Sequence, residues 1–118
     1  MFNIFGGSTA QRLTAADAVS LAAKGEITLL DVREAGEVTA SGTAKGGVHI
    51  PLAMVPLKAN PHGPDHDKRL DPAKPVAVFC AVGGRAGQAA AALERMGYTA
   101  HNIGGFGDWV SAGGAVQR

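Results

Sequence analysis

The sequence predicts an α/β fold of three layers, α/β/α, with helices on both faces of a central, mostly parallel sheet of about five strands. Three observations predict it. Short apolar runs alternate with segments of helical character along the chain. The clearest runs, residues 27–32 and 76–80, are predominantly apolar rather than alternating, as strands covered on both faces are. A length of 118 residues fits one domain and leaves no room for two, so residues 1–118 read as a single domain.

Residues 1–12 read as an irregular arm that could carry a short edge strand. Thr14 is a suitable N-cap, with Asp17 three residues on to complete a capping box. The helix that follows, residues 15–24, puts Ala18, Leu21 and Ala22 on one face, and Gly25 stands where a C-terminal cap belongs. Residues 27–32 form a buried strand. Residues 34–40 give one or two helical turns, ended by Ser41 and Gly42. Residues 48–50 make a very short strand that Pro51 stops. The proline-rich stretch 51–75 is the least regular, with one helical turn at 52–57 and a polar loop at 60–68. Residues 76–80 are the best strand, and residues 86–96, rich in alanine and closed by Gly97, the best helix. A last strand falls within residues 98–103 and a last short helix within 105–111.

Composition excludes several classes of function. The net charge of +1 gives no electrostatic footprint for nucleic acid or an anionic membrane. The first residues have neither a basic leader region nor a long apolar run, so no signal peptide or membrane span is expected. The chain's one cysteine, Cys80, allows no internal disulfide, which fits a reducing compartment, and the expected location is the cytoplasm.

The chemistry converges on Cys80. It stands at the carboxyl end of the best strand, where open α/β sheets bind ligands. Gly83 and Gly84 follow, and let the backbone curl so that N–H groups point inward as an anion-binding nest. The next helix adds its positive end, and Arg85 a permanent charge. All three favour thiolate over thiol, so Cys80 reads as a nucleophile rather than as core packing. Ala81, Val82, Gly83, Gly84 and Arg85 would line the substrate. Arg85 has two readings: it binds the anionic end of a donor, which is favoured because Ala81 and Val82 offer an anion no side-chain contact, or it holds the loop in shape.

Other candidates have simpler explanations. Arg33 reads as scaffold, bridging Asp31, Glu34 or another carboxylate, and Asp31 as a buried loop-capping acceptor. His62 and His66, near Asp65 and Asp67, have metal-like spacing only on a helix, which Pro61, Gly63 and Pro64 oppose; a solvated loop is expected, and no metal. His49 and His101 read as satisfied scaffold residues, and Trp109 as packing with its N–H bonded.

Five stretches in order resemble the rhodanese family over residues 10–112. Leu30-Asp31-Val32-Arg33-Glu34 is similar to its first signature. Gly46-Gly47-Val48-His49-Ile50-Pro51-Leu52 resembles the segment that follows. Val78 to Arg85 resembles the active-site loop, cysteine-x-x-glycine-x-arginine, and residues 87–93 its alanine-rich helix. Gly104-Gly105-Phe106-Gly107-Asp108-Trp109 resembles the closing signature. The resemblance implies a sulfurtransferase in which Cys80 takes a sulfane sulfur from a small donor such as thiosulfate. It then passes the sulfur to a thiophilic acceptor: cyanide, a thiol or a protein. It implies no metal or organic cofactor, backbone donors from residues 81–85, and an Arg33 that ties the first signature to neighbouring loops.

The chain also departs from the family. Gly42-Thr43-Ala44 stands where many single-domain members have glycine-histidine-isoleucine, and Ala86 replaces the usual serine or threonine. Arg85 is the only loop charge, so thiosulfate is expected to be a poor substrate. A persulfide relay that serves a protein partner, with little activity on small donors, is not separable from a thiosulfate enzyme by sequence, and two alternatives of other classes remain at this point. One is phosphate or arsenate chemistry, but related folds use a cysteine-x5-arginine loop and only four residues separate Cys80 from Arg85. The other is a non-enzymatic binding module, which the retained Cys80 disfavours.

Overall fold

A computed structural model describes residues 13–118. The expected N-terminal arm and its edge strand lie outside the described residues. Helix α1 (Ala15–Ala23) begins as the sequence predicts: Thr14 Oγ1 accepts the Asp17 N–H at 3.1 Å and Asp17 Oδ2 accepts the Thr14 N–H at 3.0 Å. Then come β1 (Thr28–Asp31), α2 (Ala35–Ser41), β2 (Thr43–Ala44) and β3 (Val48–His49). A 3-10 turn (Leu52–Met54) runs into α3 (Val55–Lys58), so the predicted helical turn is split between two geometries. The second half holds β4 (Val76–Cys80), α4 (Gly84–Arg95), β5 (Ala100–Gly105), α5 (Phe106–Ser111) and β6 (Val116–Gln117).

Strands β3, β1, β4 and β5 form one sheet in that order, and every pairing is parallel. Among the described residues this sheet has four strands, against the five or so expected. A separate antiparallel ribbon pairs Thr43 with Gln117 and Ala44 with Val116. Two residues per strand are too few to leave a periodic signal, which is why sequence patterning did not reveal it.

The layers follow from the two-residue period of strand side chains. Val76, Val78 and Cys80 face the layer of α3 and α4, where Leu30, Val55, Leu70, Ala86, Ala89 and Leu93 are buried. Ala77 and Phe79 face the other way, onto Ala18, Ile103 and Trp109 from α1, β5 and α5. All five β4 residues are buried, which explains a strand with no polar alternation. Burying a side chain such as Phe79 or Leu30 contributes roughly 1.5–3 kcal/mol. Trp109 is packed with its indole N–H donated to the Ala115 carbonyl at 2.9 Å, as expected of a buried indole. No helix of the described residues is long and apolar enough to cross a membrane.

Candidate active site

Parallel pairing brings the carboxyl ends of β1 and β4 side by side, with Asp31 in register with Phe79. One sheet edge thereby collects Asp31, Arg33, Cys80 and the loop after it.

The loop is shaped by glycine at two places. Gly83 caps α4 with φ of +111°, a left-handed geometry that side-chain-bearing residues rarely adopt. Gly105, the β5 residue in register with Cys80, lies so close that a Cβ there would collide with the Ala81 carbonyl. Helix α4 begins at Gly84, two residues earlier than the alanine run predicts, because glycine carries no helical signal. Arg85 is therefore in the first helical turn rather than in the loop. The Gly83 carbonyl accepts the Gly87 N–H at 3.0 Å and the Asn102 Nδ2–H at 3.0 Å. Asn102 Oδ1 accepts the Gly104 N–H at 2.9 Å, so this one side chain joins the cysteine loop to the end of β5. Sequence reading did not single out Asn102. Its only sequence signal is a polar residue between His101 and Ile103 in a strand that is otherwise half-buried.

Cys80 itself is 1% exposed. Its Sγ accepts the Gly83 N–H at 2.9 Å and the Ala86 N–H at 3.3 Å. Burial pushes the thiol up, but the backbone N–H groups of Ala86, Gly83, Val82 and Arg85 outweigh it and hold Cys80 below the ordinary thiol range. Two backbone donors within hydrogen-bond distance of one sulfur, at the start of a twelve-residue helix, make an anion cradle. Of the predicted lining residues, Ala81 packs against Gly105 and Val82 projects from the loop, 89% exposed. An open cleft of about 590 Å³ flanks the loop, walled by Val82, Gly83, Asn102, Gly104 and Asp108 and by the start of α1.

Arg85 has a partner that the sequence expectation lacked. Its Nη1 donates to Glu37 Oε1 at 2.7 Å and its Nη2 to Glu37 Oε2 at 2.9 Å, a two-bond pair between α4 and α2 across 48 residues of sequence. The Arg85 guanidinium, joined by the Glu34 N–H, lowers the Glu37 carboxyl to about 2. Glu37 in turn raises the Arg85 guanidinium above its ordinary value. Each side chain remains about a third exposed.

Arg33 and Asp31 are 4% and 1% exposed. Arg33 Nη2 and Nε donate to the Asp31 carboxylate at 2.8 and 3.0 Å, and Nη1 and Nη2 continue to Ser41 Oγ and the Gly42 carbonyl at 2.8 and 2.7 Å. Thr43 Oγ1 adds a bond to Asp31 at 2.7 Å, and the Phe106 ring lies 4.4 Å from the guanidinium carbon. Two of the histidines are occupied elsewhere. His49 Nε2 donates to the Arg33 carbonyl at 2.7 Å and His66 Nε2 to the Leu70 carbonyl at 2.8 Å, while His101 stands in register with Ala77 on β5. Asp67 is engaged by Arg69. Among the described residues no group of three His, Cys, Asp or Glu side chains is placed to hold a metal ion.

Residues 14–112 match the family described as Rhodanese-like domain. Among solved structures, one from Rhodopseudomonas palustris, described as a protein of unknown function and possible tyrosine phosphatase, is 30% identical. It has a TM-score of 0.79, with 92% of this chain and 86% of that one covered. A rhodanese-related protein from Thermoplasma volcanium is 29% identical, with a TM-score of 0.72 over 91% of this chain and 97% of its own. A rhodanese with anions from E. coli is 30% identical, with a TM-score of 0.55 over 70% and 89% of the two chains. No curated protein matches.

Proposed function

The chain belongs to the rhodanese-like domain family, and from that premise we propose that it is a sulfurtransferase in which Cys80 carries a sulfane sulfur as a persulfide. The observation that carries this reading is the convergence of the Gly83 and Ala86 N–H groups on Sγ at 2.9 and 3.3 Å. A thiolate so held is a nucleophile ready to attack a donor's outer sulfur, and the same donors would neutralise the anionic persulfide that results. The partners on this reading are a small sulfur donor and a thiophilic acceptor, either a small thiol or a protein.

Phosphate-ester chemistry, suggested by the description of the Rhodopseudomonas relative, is less well supported. A phosphoryl group needs its arginine free for bidentate contact, and Arg85 is committed to Glu37.

Intact mass measured after incubation with a sulfane donor, and again after cyanide, tests the proposal. The protein should gain one sulfur atom and lose it as thiocyanate. Cys80→Ser should gain none. Full sulfur loading of that variant, or turnover of p-nitrophenyl phosphate by a wild-type protein that takes up no sulfur, would refute it.

A further inference from the structure

The Arg85–Glu37 pair changes what the site can accept. Both η nitrogens of Arg85 are turned onto Glu37, so the guanidinium meets the site already neutralised. Its surroundings are acidic as well. Arg85 feels Glu37, Glu34 and the Cys80 sulfur, and Glu37 feels Arg33, which is itself spent on Asp31. Among the described residues this group holds two cations, Arg33 and Arg85, against three carboxylates, Asp31, Glu34 and Glu37, before any thiolate is counted.

We propose that Glu37 sets donor specificity at this site: by occupying Arg85 it leaves the cradle without a free side-chain cation among the described residues, disfavours dianionic donors such as thiosulfate, and directs the site to hydropersulfides, RSSH. The inference rests on the sulfur-transfer reading and deepens it.

The two donors ask different things of the site. With thiosulfate, the Cys80 thiolate attacks the sulfane sulfur. The S–S bond breaks, its electron pair leaves on sulfite, and Cys80 keeps a persulfide. A thiolate and a dianion must meet, and only an uncommitted cation offsets their repulsion at contact distance. With a hydropersulfide, the thiolate attacks the terminal sulfur of RSSH. The S–S bond breaks, RS⁻ leaves, and Cys80 becomes Cys80–SSH. The donor reacts through its protonated, neutral form, and even its anion carries one charge fewer than thiosulfate, so the backbone N–H groups and the helix end suffice. Thiosulfate could win Arg85 only by displacing a carboxylate tethered to the same chain. A tethered group acts at an effective concentration of roughly millimolar or above, which a dissolved ion at its own working concentration does not readily beat.

Donor kinetics on the full chain at fixed ionic strength test this, with thiosulfate and 2-mercaptoethanol hydropersulfide as the two donors. Wild-type protein should load sulfur from the hydropersulfide with a kcat/KM at least about tenfold above that for thiosulfate, the value of one charge-assisted contact. Glu37→Gln should raise kcat/KM for thiosulfate by about tenfold through a lower KM, with the hydropersulfide value little changed. The double variant Glu37→Gln/Arg85→Gln, which has lost the freed cation, should lose that gain. A folded Glu37→Gln protein with the wild-type donor ratio would overturn the inference, as would a gain that survives in the double variant. If Glu37→Gln does not fold, the wild-type ratio decides: equal use of the two donors overturns the inference. A wild-type protein that loads sulfur from neither donor refutes the sulfur-transfer reading itself.

Discussion

Two neighbouring strands end in opposite ways. At the end of β1, side chains close the space: Arg33 spends its guanidinium on Asp31, Ser41 and Gly42, Phe106 stacks beside it, and both charges are nearly water-free. At the end of β4, backbone does the work: N–H groups ring the Cys80 sulfur, and the nearest charged pair, Arg85 with Glu37, stays about a third exposed. The same two residue types thus serve two purposes. A buried pair with every guanidinium nitrogen bonded fixes geometry, because breaking it strands a charge. A half-exposed pair is screened by water and contributes little to stability.

The largest expected effect comes from breaking the closed end. Arg33→Met leaves the Asp31 carboxylate buried without its counter-charge, and should cost about 3–5 kcal/mol in urea denaturation, enough to unfold a marginal domain. A loss no greater than that of Arg85→Gln would erase the distinction between the two ends.

An intermediate effect is expected where the open end is pinned. Asn102→Ala removes the bond to the Gly83 carbonyl and the anchor for the Gly104 N–H. About 1 kcal/mol of stability should go with a side-chain hydrogen bond. The more telling readout is the pH dependence of iodoacetamide alkylation. In the wild type the Cys80 rate should reach half its maximum below the ordinary thiol value of about 8.5, and in Asn102→Ala the midpoint should move up. An unmoved midpoint would mean the cradle holds its shape without Asn102.

The smallest effect should be the acid response of the open pair. The folded pKa of Glu37, about 2, is depressed below its ordinary value of 4.5. Its contribution to stability is therefore fully present above the ordinary value and fades as pH falls toward the depressed one. Wild type and Glu37→Gln should differ most in melting temperature near neutrality and converge as pH falls through that window. High salt should shrink the neutral-pH difference while leaving the Arg33→Met deficit in place. A difference that persists at the acid end would mean Glu37 acts by packing rather than by charge.

What the sequence disclosed follows the same division. Chain-local features were legible: the capping box at Thr14 and Asp17, the uninterrupted apolar β4, the order of the elements, and a glycine-rich turn after a cysteine. Arg33 was legible as scaffold because its acceptor, Asp31, is two residues away. Glu37 carries no local sign of its role, since its pairing with Arg85 bridges 48 residues and depends on how α2 and α4 dock. Asn102 was missed for a similar reason: its importance lies in the Gly83 carbonyl it meets, 19 residues earlier in the chain. The favoured assignment of Arg85 as the donor's anion contact met an acidic competitor that no local pattern announces. The start of α4 was placed late because two glycines mask a first turn that tertiary contacts stabilise.

The lone buried sulfur has a consequence for how a catalytic cycle would end. Cys80 is the chain's one thiol, and no second one stands ready to act as a resolving partner. A persulfide formed there has no exit through an internal disulfide, so on the proposed reading its discharge is bimolecular. The lifetime of the loaded state is then set by the abundance of a thiophilic encounter partner. Between such encounters the protein would be a store of activated sulfur, shielded by the burial of Cys80.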